Sequence, residues 1–293
     1  MVYQPKEIPE GVNVTAVHPL VNFAYLLGTV AVVSSVIYLG LGAIATALAT
    51  RISPEMEAKI GQQLRPDLEQ KASQINSQQR QYLNDLLKDL QTSDTSNYIP
   101  LTIYVHESPI SNAAIFPGGH ILITTTLLTE AESENELAFV LAHELGHHVA
   151  RDHLKGMGRS LVFLTVASVL GIGSGNVNVV GITGSLTNLH YSRQQESAAD
   201  VYALEAVVER YGHGDGSLDF FKRIQTEQRD SRGKVSSYFS THPLTQNRID
   251  RLYQIAVQND WKMQGATTDL PDKIFEKLKK SQSNSKITQF ETN

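Results

Sequence analysis

His143-Glu144-Leu145-Gly146-His147 sets two imidazoles four residues apart, with a carboxylate beside the first. The surrounding run, 135–150, is rich in Leu and Ala and free of Pro, which predicts a helix. Residues four apart share a helix face, so His143 and His147 aim at one point. Two imidazoles at that spacing suit a divalent metal, zinc above all. Glu144, one step round the helix, would overhang the ion without ligating it, where a general base sits. The competing reading is a surface helix carrying a solvated Glu and two unrelated His. Leu137, Val140, Leu141, Leu145 and Val149 repeat at helical spacing and predict burial, and buried polar groups require partners.

Two imidazoles still leave such a site short of a carboxylate. Residues 191–204 read as a second helix, with Glu196 and Asp200 four apart on one face. Glu196 would complete two His and one Glu, with a position open for water, and Asp200 would orient a ligating His through its other nitrogen. A solvated helix face is the plain alternative, because Glu and Asp are usually exposed. Ser197, Ala198 and Ala199 between them suit close approach to another helix and favour the site.

Other elements must position these helices. Residues 101–106 alternate and are β-branched, 112–117 are extended, and 120–125 form a third strand after the Pro117-Gly118-Gly119 turn. A small antiparallel sheet is therefore expected ahead of the metal helix. By residue type alone His106 and His120 read as ordinary strand histidines. Ser53-Pro54-Glu55 opens a helix with an N-cap, a Pro in the first turn and an acidic residue, and two helices are expected over 55–91, broken near Arg65-Pro66.

From Pro19 to Thr50 there is no charged residue, more than the ~20 residues that cross a bilayer core. A transmembrane anchor over 19–50 is expected, in preference to a cleaved signal ending at Ala47-Leu48-Ala49 or a buried core helix. Arg51, Lys59 and Arg65 follow the span and only Lys6 precedes it, which favours a cytoplasmic catalytic part. Net charge is −5, so nothing points to nucleic acid as a partner. There is no Cys, which excludes disulfides and Cys-ligated zinc. The expected organisation is a 1–18 tail, the 19–50 anchor, a 51–97 helical linker, a 98–260 catalytic domain and a 261–293 polar tail. Residues 161–172 read as an apolar helix too short to span alone, 171–184 as a Gly-rich lid, and 271–280 as a short basic helix.

Four segments carry a family likeness: Asn112-Ala113-Ala114-Ile115-Phe116-Pro117-Gly118-Gly119-His120, the 143–147 motif, 196–200, and His242-Pro243-Leu244-Thr245-Gln246-Asn247-Arg248-Ile249. In this order they resemble the HtpX-like and CAAX-prenyl-protease-like membrane zinc metallopeptidases, a group of gluzincins. The resemblance covers about residues 100–255. It implies an α+β, mainly helical zincin-type domain with a small sheet, and one zinc per chain on His143, His147 and Glu196. It implies Glu144 as catalytic base, Asp200 behind the ligands, and His242 steadying the tetrahedral intermediate. The chain departs from that group at Thr126, where many members have Gly, and in having one clear span where they have several.

The combined expectation is a single-pass zinc endopeptidase of a bacterial inner or plasma membrane, acting on extended or misfolded polypeptides in protein quality control. Zinc would activate water, with Glu144 as general base. Substrate would pair with the strand near 120–125, making Asn112, Gly119, His120 and Ile121 the substrate-binding candidates. The rival is a non-catalytic membrane module that holds client proteins with zinc as a staple. Oligomeric state is not encoded in any of these features.

Overall fold

The computed structural model describes residues 18–49, 51–73, 75–91, 100–157, 190–223, 241–243 and 245–271. The sequence expectations for the N-terminal tail, the 161–172 and 171–184 segments and the basic helix beyond 271 fall outside these residues.

The chain divides into two units, 1–44 and 45–293. Helix α1 (Pro19–Ala49) is apolar on every side, and its described side chains from Pro19 to Gly40 are exposed. That stretch of 22 residues is the one described helix long and apolar enough to cross a membrane. At 1.5 Å per residue it reaches about 33 Å, a little more than a bilayer's hydrocarbon core. Two of its hydroxyls are turned onto its own backbone, Thr29 Oγ1 donating to Tyr25 O at 2.8 Å and Ser35 Oγ to Ala31 O at 2.7 Å.

In the second unit, Ser53 caps α2 (Pro54–Lys71), accepting from Met56 N, as its sequence predicts. The expected break at Pro66 does not occur: α2 runs through it, and α3 (Ser77–Asp89) begins only after 72–76. Pro66 lies on the exposed face, so the carbonyl it leaves unbonded faces water. Burial of Gly61, Leu64 and Leu68 on the opposite face offsets the ~3 kcal/mol that an interior proline costs.

Strands β1 (Thr102–His106), β2 (Ala113–Phe116) and β3 (His120–Thr124) form one sheet in the order β1-β3-β2. The Pro117-Gly118-Gly119 turn, with φ of 83° and 74° at its glycines, folds β3 back antiparallel on β2. The 107–112 connection carries the chain past β3 to its far side, so β1 and β3 are parallel and the sheet is mixed. Period-2 alternation splits the side chains between two cores. Ile103, Val105, Ile115, Ile121 and Ile123 face the main one, while Tyr104, Phe116 and Leu122 face Leu64 and Leu68 of α2. The 51–97 segment thus supplies helices to both cores.

Thr124 caps α4 (Thr125–Glu130) and Ser133 caps α5 (Glu134–Val149), the helix with the paired His. A capping box of Ser192 and Gln195 starts α6 (Arg193–Tyr211), and Gly212 at φ 75° ends it. Helix α7 (Gln246–Gln258) closes the main core with Ile249, Leu252 and Ala256. Helices α5 and α6 make the most extensive helix pairing. A Cβ on Gly146 would lie 2.8 Å from Ala199 Cα, so the two backbones meet where both residues are small. Ala199 is buried there, whereas Ala198 is exposed.

Candidate metal centre

The close crossing at Gly146 and Ala199 brings the faces of α5 and α6 that bear His143, His147, Glu196 and Asp200 together. His143 Nε2 and His147 Nε2 are 3.2 Å apart. Glu196 Oε2 is 3.5 Å from the first and Glu196 Oε1 3.4 Å from the second. Ligand atoms on a tetrahedral zinc at 2.0–2.1 Å lie about 3.3 Å from one another, which matches these separations. His242 joins them, and one donor atom from each of the four residues lies within 4.8 Å of the others. All four are buried.

The opposite ring nitrogens explain the orientation. His143 Nδ1 lies 3.1 Å from Asp200 Oδ1, and His147 Nδ1 lies 3.1 Å from Asp152 Oδ2. A carboxylate at Nδ1 fixes the proton there and leaves the Nε2 lone pair facing the centre, the tautomer a metal requires. Two such lone pairs and a carboxylate, all out of water, suit a divalent cation better than they suit one another. Burial disfavours a charged His143, but Asp200 and Glu196 outweigh it and raise its pKa to about 9. Burial likewise opposes ionisation of Glu196 and Asp200. Hydrogen bonds from His143 and its neighbours prevail and hold both carboxyls below their ordinary range.

Arg248 locks the assembly from α7. Its Nε and Nη2 donate to Asp200 Oδ2 and Oδ1, each at 2.7 Å. Its Nη1 lies 2.8 Å from Glu196 Oε2 and donates to Pro243 O at 2.9 Å. One planar guanidinium therefore orients both acids of α6 and the turn that carries His242.

Glu144 projects beside the donors. Its Oε2 accepts from Ile115 N at 3.2 Å, and its Oε1 has no hydrogen bond among the described residues. His242 Nε2 is 3.5 Å from that Oε1, while His242 Nδ1 is 2.9 Å from Glu196 Oε1. Burial holds the His242 pKa below its ordinary value.

Of the residues expected at the site, the structure therefore brings together His143, Glu144, His147, Glu196, Asp200 and His242. It does not bring Gly119, His120 and Ile121 there. The Gly119 carbonyl accepts from Thr102 N at 2.9 Å, His120 packs edge-on against Tyr104, and Ile121 is fully buried. Strand β3 is paired with β1 throughout and with β2 along His120–Ile123, so a peptide has no edge to join there. The sheet edge nearest Glu144 is that of β2, which pairs with β3 alone among the described strands, and there Ile115 N–H turns from β3 to Glu144 Oε2. Asn112, at the head of β2, is bonded to β3 through Thr124, and its Oδ1 is buried without a hydrogen bond.

Three participants were not singled out by sequence. Asp152 follows the end of α5, donates nothing and accepts from Gln195 and Lys155 as well as facing His147. Its signal would have been an acid just past the helix end. Tyr191 lays its ring on His147, centroids 3.9 Å apart and planes at 18°. Arg248 stood in the 242–249 segment without an assigned role.

Residues 76–256 match peptidase family M48. The chain is 28% identical over 184 residues to a putative beta-barrel assembly-enhancing protease of Vibrio cholerae, covering 58% of this chain and 37% of that protein. It is 27% identical over 184 residues to the mitochondrial metalloendopeptidase OMA1 of Schizosaccharomyces pombe, covering 58% and 51%. The Saccharomyces cerevisiae OMA1 is 28% identical over 157 residues, covering 51% and 45%. The chain thus spans about half or less of the length of these relatives. With the matched segment covering the helices that carry His143, His147 and Glu196, the chain belongs to peptidase family M48 and is a metallopeptidase.

Proposed function

We propose that this chain is a membrane-anchored zinc endopeptidase that cleaves extended or misfolded polypeptides. The observation that carries the reading is Glu144, a buried carboxylate beside the convergent donors, with Oε2 held by Ile115 N and Oε1 making no hydrogen bond among the described residues, 3.5 Å from His242 Nε2. His143, His147 and Glu196 would hold one zinc, which when bound supplies a Lewis acid that polarises the scissile carbonyl and acidifies water. Glu144 Oε1 takes the proton of the attacking water and returns it to the leaving amine. A zinc staple needs no such base, which counts against the non-catalytic client-holding alternative.

His242 has its Nδ1 within the donor group, so four protein donors surround the centre in this conformation. A catalytic site keeps one position open. His242 therefore has to draw back, and from there its N–H donates to the oxyanion of the substrate. The peptide pairs with the outer edge of β2, Asn112 meeting it at the head of the strand. Asp200 and Asp152 hold the ligating rings in their working tautomer.

Relatives named for beta-barrel assembly and as metalloendopeptidases support protein substrates and internal cleavage. Within the family, the four motif segments favour kinship with the HtpX-like and CAAX-prenyl-protease-like branch. Helix α1 serves as the single anchor, with the basic residues 51, 59 and 65 on the cytoplasmic side. Full-length protein is expected to resist carbonate extraction from membranes, and extraction with peripheral proteins would remove the anchor from the reading.

Cleavage of denatured casein, with and without a chelator, tests the chemistry. Glu144→Gln retains shape and zinc but cannot accept the proton. General-base catalysis is worth about 10²–10⁴-fold, so activity should fall by that range while zinc content holds. Near-full activity in a zinc-loaded Glu144→Gln protein would sink the assignment.

A further inference from the structure

Beyond the end of α5 lies a second group of buried metal-type donors that the catalytic reading leaves unused. Glu57 comes from α2, His148 from the last turn of α5, and His153 from the helical turn at 152–157. One donor atom from each lies within 4.8 Å of the others. Their exposures are 1%, 4% and 0%. Arg151, at φ 56°, reverses the backbone between the two His, a left-handed conformation that a non-glycine residue adopts at a cost. The reversal stacks the two rings, with centroids 5.1 Å apart and planes at 23°.

Glu57 Oε1 is 2.9 Å from His153 Nε2 and 3.8 Å from His148 Nδ1. The spacing of about 3.3 Å between donors on a tetrahedral zinc falls inside that interval. The other carboxylate oxygen, Oε2, accepts from Arg151 Nη2 at 2.9 Å. The carboxylate thus divides its work, one oxygen to the imidazoles and one to the guanidinium.

An ion pair with imidazoles alongside accounts for part of this. Glu57, Arg151 and the Nε2 of His153 satisfy one another. His148 is left over: neither of its ring nitrogens has a hydrogen bond among the described residues, and neither does His153 Nδ1. A buried imidazole with no partner on either side is unfavourable unless a ligand supplies one.

We propose that Glu57 Oε1, His148 Nδ1 and His153 Nε2 form a second zinc site with three protein ligands, which pins α2 to the end of α5. Two neutral imidazoles and one carboxylate suit zinc, whereas magnesium and calcium prefer shells of oxygen. Arg151 steadies the ligating carboxylate through its second oxygen, the support that metal-bound carboxylates commonly receive. When zinc enters, the proton of His153 resides on Nδ1. The assignment does not depend on the peptidase reading, since its donors and those of the first centre are different residues.

Elemental analysis of full-length protein, purified with zinc and then dialysed, tests it. Two zinc ions per chain are expected, falling to one in Glu57→Gln and in His153→Gln. The double variant His143→Ala/Glu196→Ala keeps every second-site residue and should retain one zinc, with added zinc raising its thermal midpoint. That arm remains readable if the Glu57 and His153 variants fail to fold. Adding Glu57→Gln to the double variant should remove the last ion. The proposal is overturned if the double variant holds no zinc, or if its remaining zinc survives Glu57→Gln.

Discussion

The two ends of α5 handle buried charge in opposite ways. At the N-terminal end, Glu134 accepts from Tyr82 Oη at 2.6 Å, Tyr211 Oη at 2.8 Å and Arg210 Nη2 at 3.0 Å. Glu136 accepts from Arg223 at 3.0 and 2.8 Å and from Glu132 N at 3.0 Å. Both carboxylates are saturated by groups of the chain itself. Towards the C-terminal end, lone pairs of His143, His147 and Glu196 face one another at 3.2 to 3.5 Å, and Glu144 Oε1 makes no hydrogen bond among the described residues. The first arrangement is complete as it stands, whereas the second sets donors against one another that a cation could bridge. Burial of polar residues alone therefore does not mark a site in this protein. Donors that oppose one another do.

If that contrast is right, mutations at the two ends should separate activity from stability. The largest effect is the loss of about 10²–10⁴-fold in cleavage for Glu144→Gln, with an unchanged thermal midpoint. A fall in its midpoint as large as that of a Glu134 variant would erase the distinction. Glu134→Ala removes the acceptor of two phenols and of one arm of Arg210, which keeps Asp89, and loss of these partly buried bonds should cost about 1–3 kcal/mol in denaturant unfolding. Its folded fraction should cleave normally; a large drop in turnover would mean that the N-terminal network also tunes the centre. Asp152→Asn should weaken zinc binding by about 10–100-fold, read by chelator competition, because His147 loses the acceptor that fixes its tautomer. Equal affinity in both proteins would make Asp152 a bystander.

The smallest effect is one of pH. Burial, and then the bond to Glu134, raise the phenols of Tyr82 and Tyr211 above their ordinary value. Above pH 10 the unfolded chain releases these protons while the folded chain keeps them. The native state then binds more protons, so stability is full below pH 10 and declines as pH rises past it. The urea midpoint should drop between pH 10 and 11, and Tyr82→Phe/Tyr211→Phe should flatten the drop. An unaltered slope in that double variant would show that other groups govern alkaline stability.

The helical part of the site was legible because it obeys a short period. His143 with His147, and Glu196 with Asp200, stand four apart, and the Leu and Ala around them declare the helices. Ala199 against Gly146 was readable as a small-residue contact, although Ala198 faces out. Arg248 was not legible, since nothing local says that a guanidinium 48 residues on will grip Asp200. Asp152 escaped because it lies past the end of α5, where helical spacing no longer predicts direction. Strand existence and the glycine turn were readable from composition. Strand order was not, because the path of 107–112 around β3 depends on tertiary packing. For that reason the peptide edge was expected along 120–125, whereas β3 is the central strand of the described sheet and β2 an outer one.

If Glu144 is the base and β2 the docking strand, as proposed above, catalyst and docking rail draw on a single hydrogen. Ile115 has one amide proton, and in the free protein it belongs to Glu144 Oε2. A backbone that pairs with β2 at this position must claim the same proton. In the proposed mode of binding, arrival of the polypeptide would free Glu144 Oε2 from Ile115. Short ligands that fill the metal centre without reaching Ile115 would leave the tether in place. Under that proposal, length of the bound chain, rather than side-chain identity alone, would govern turnover.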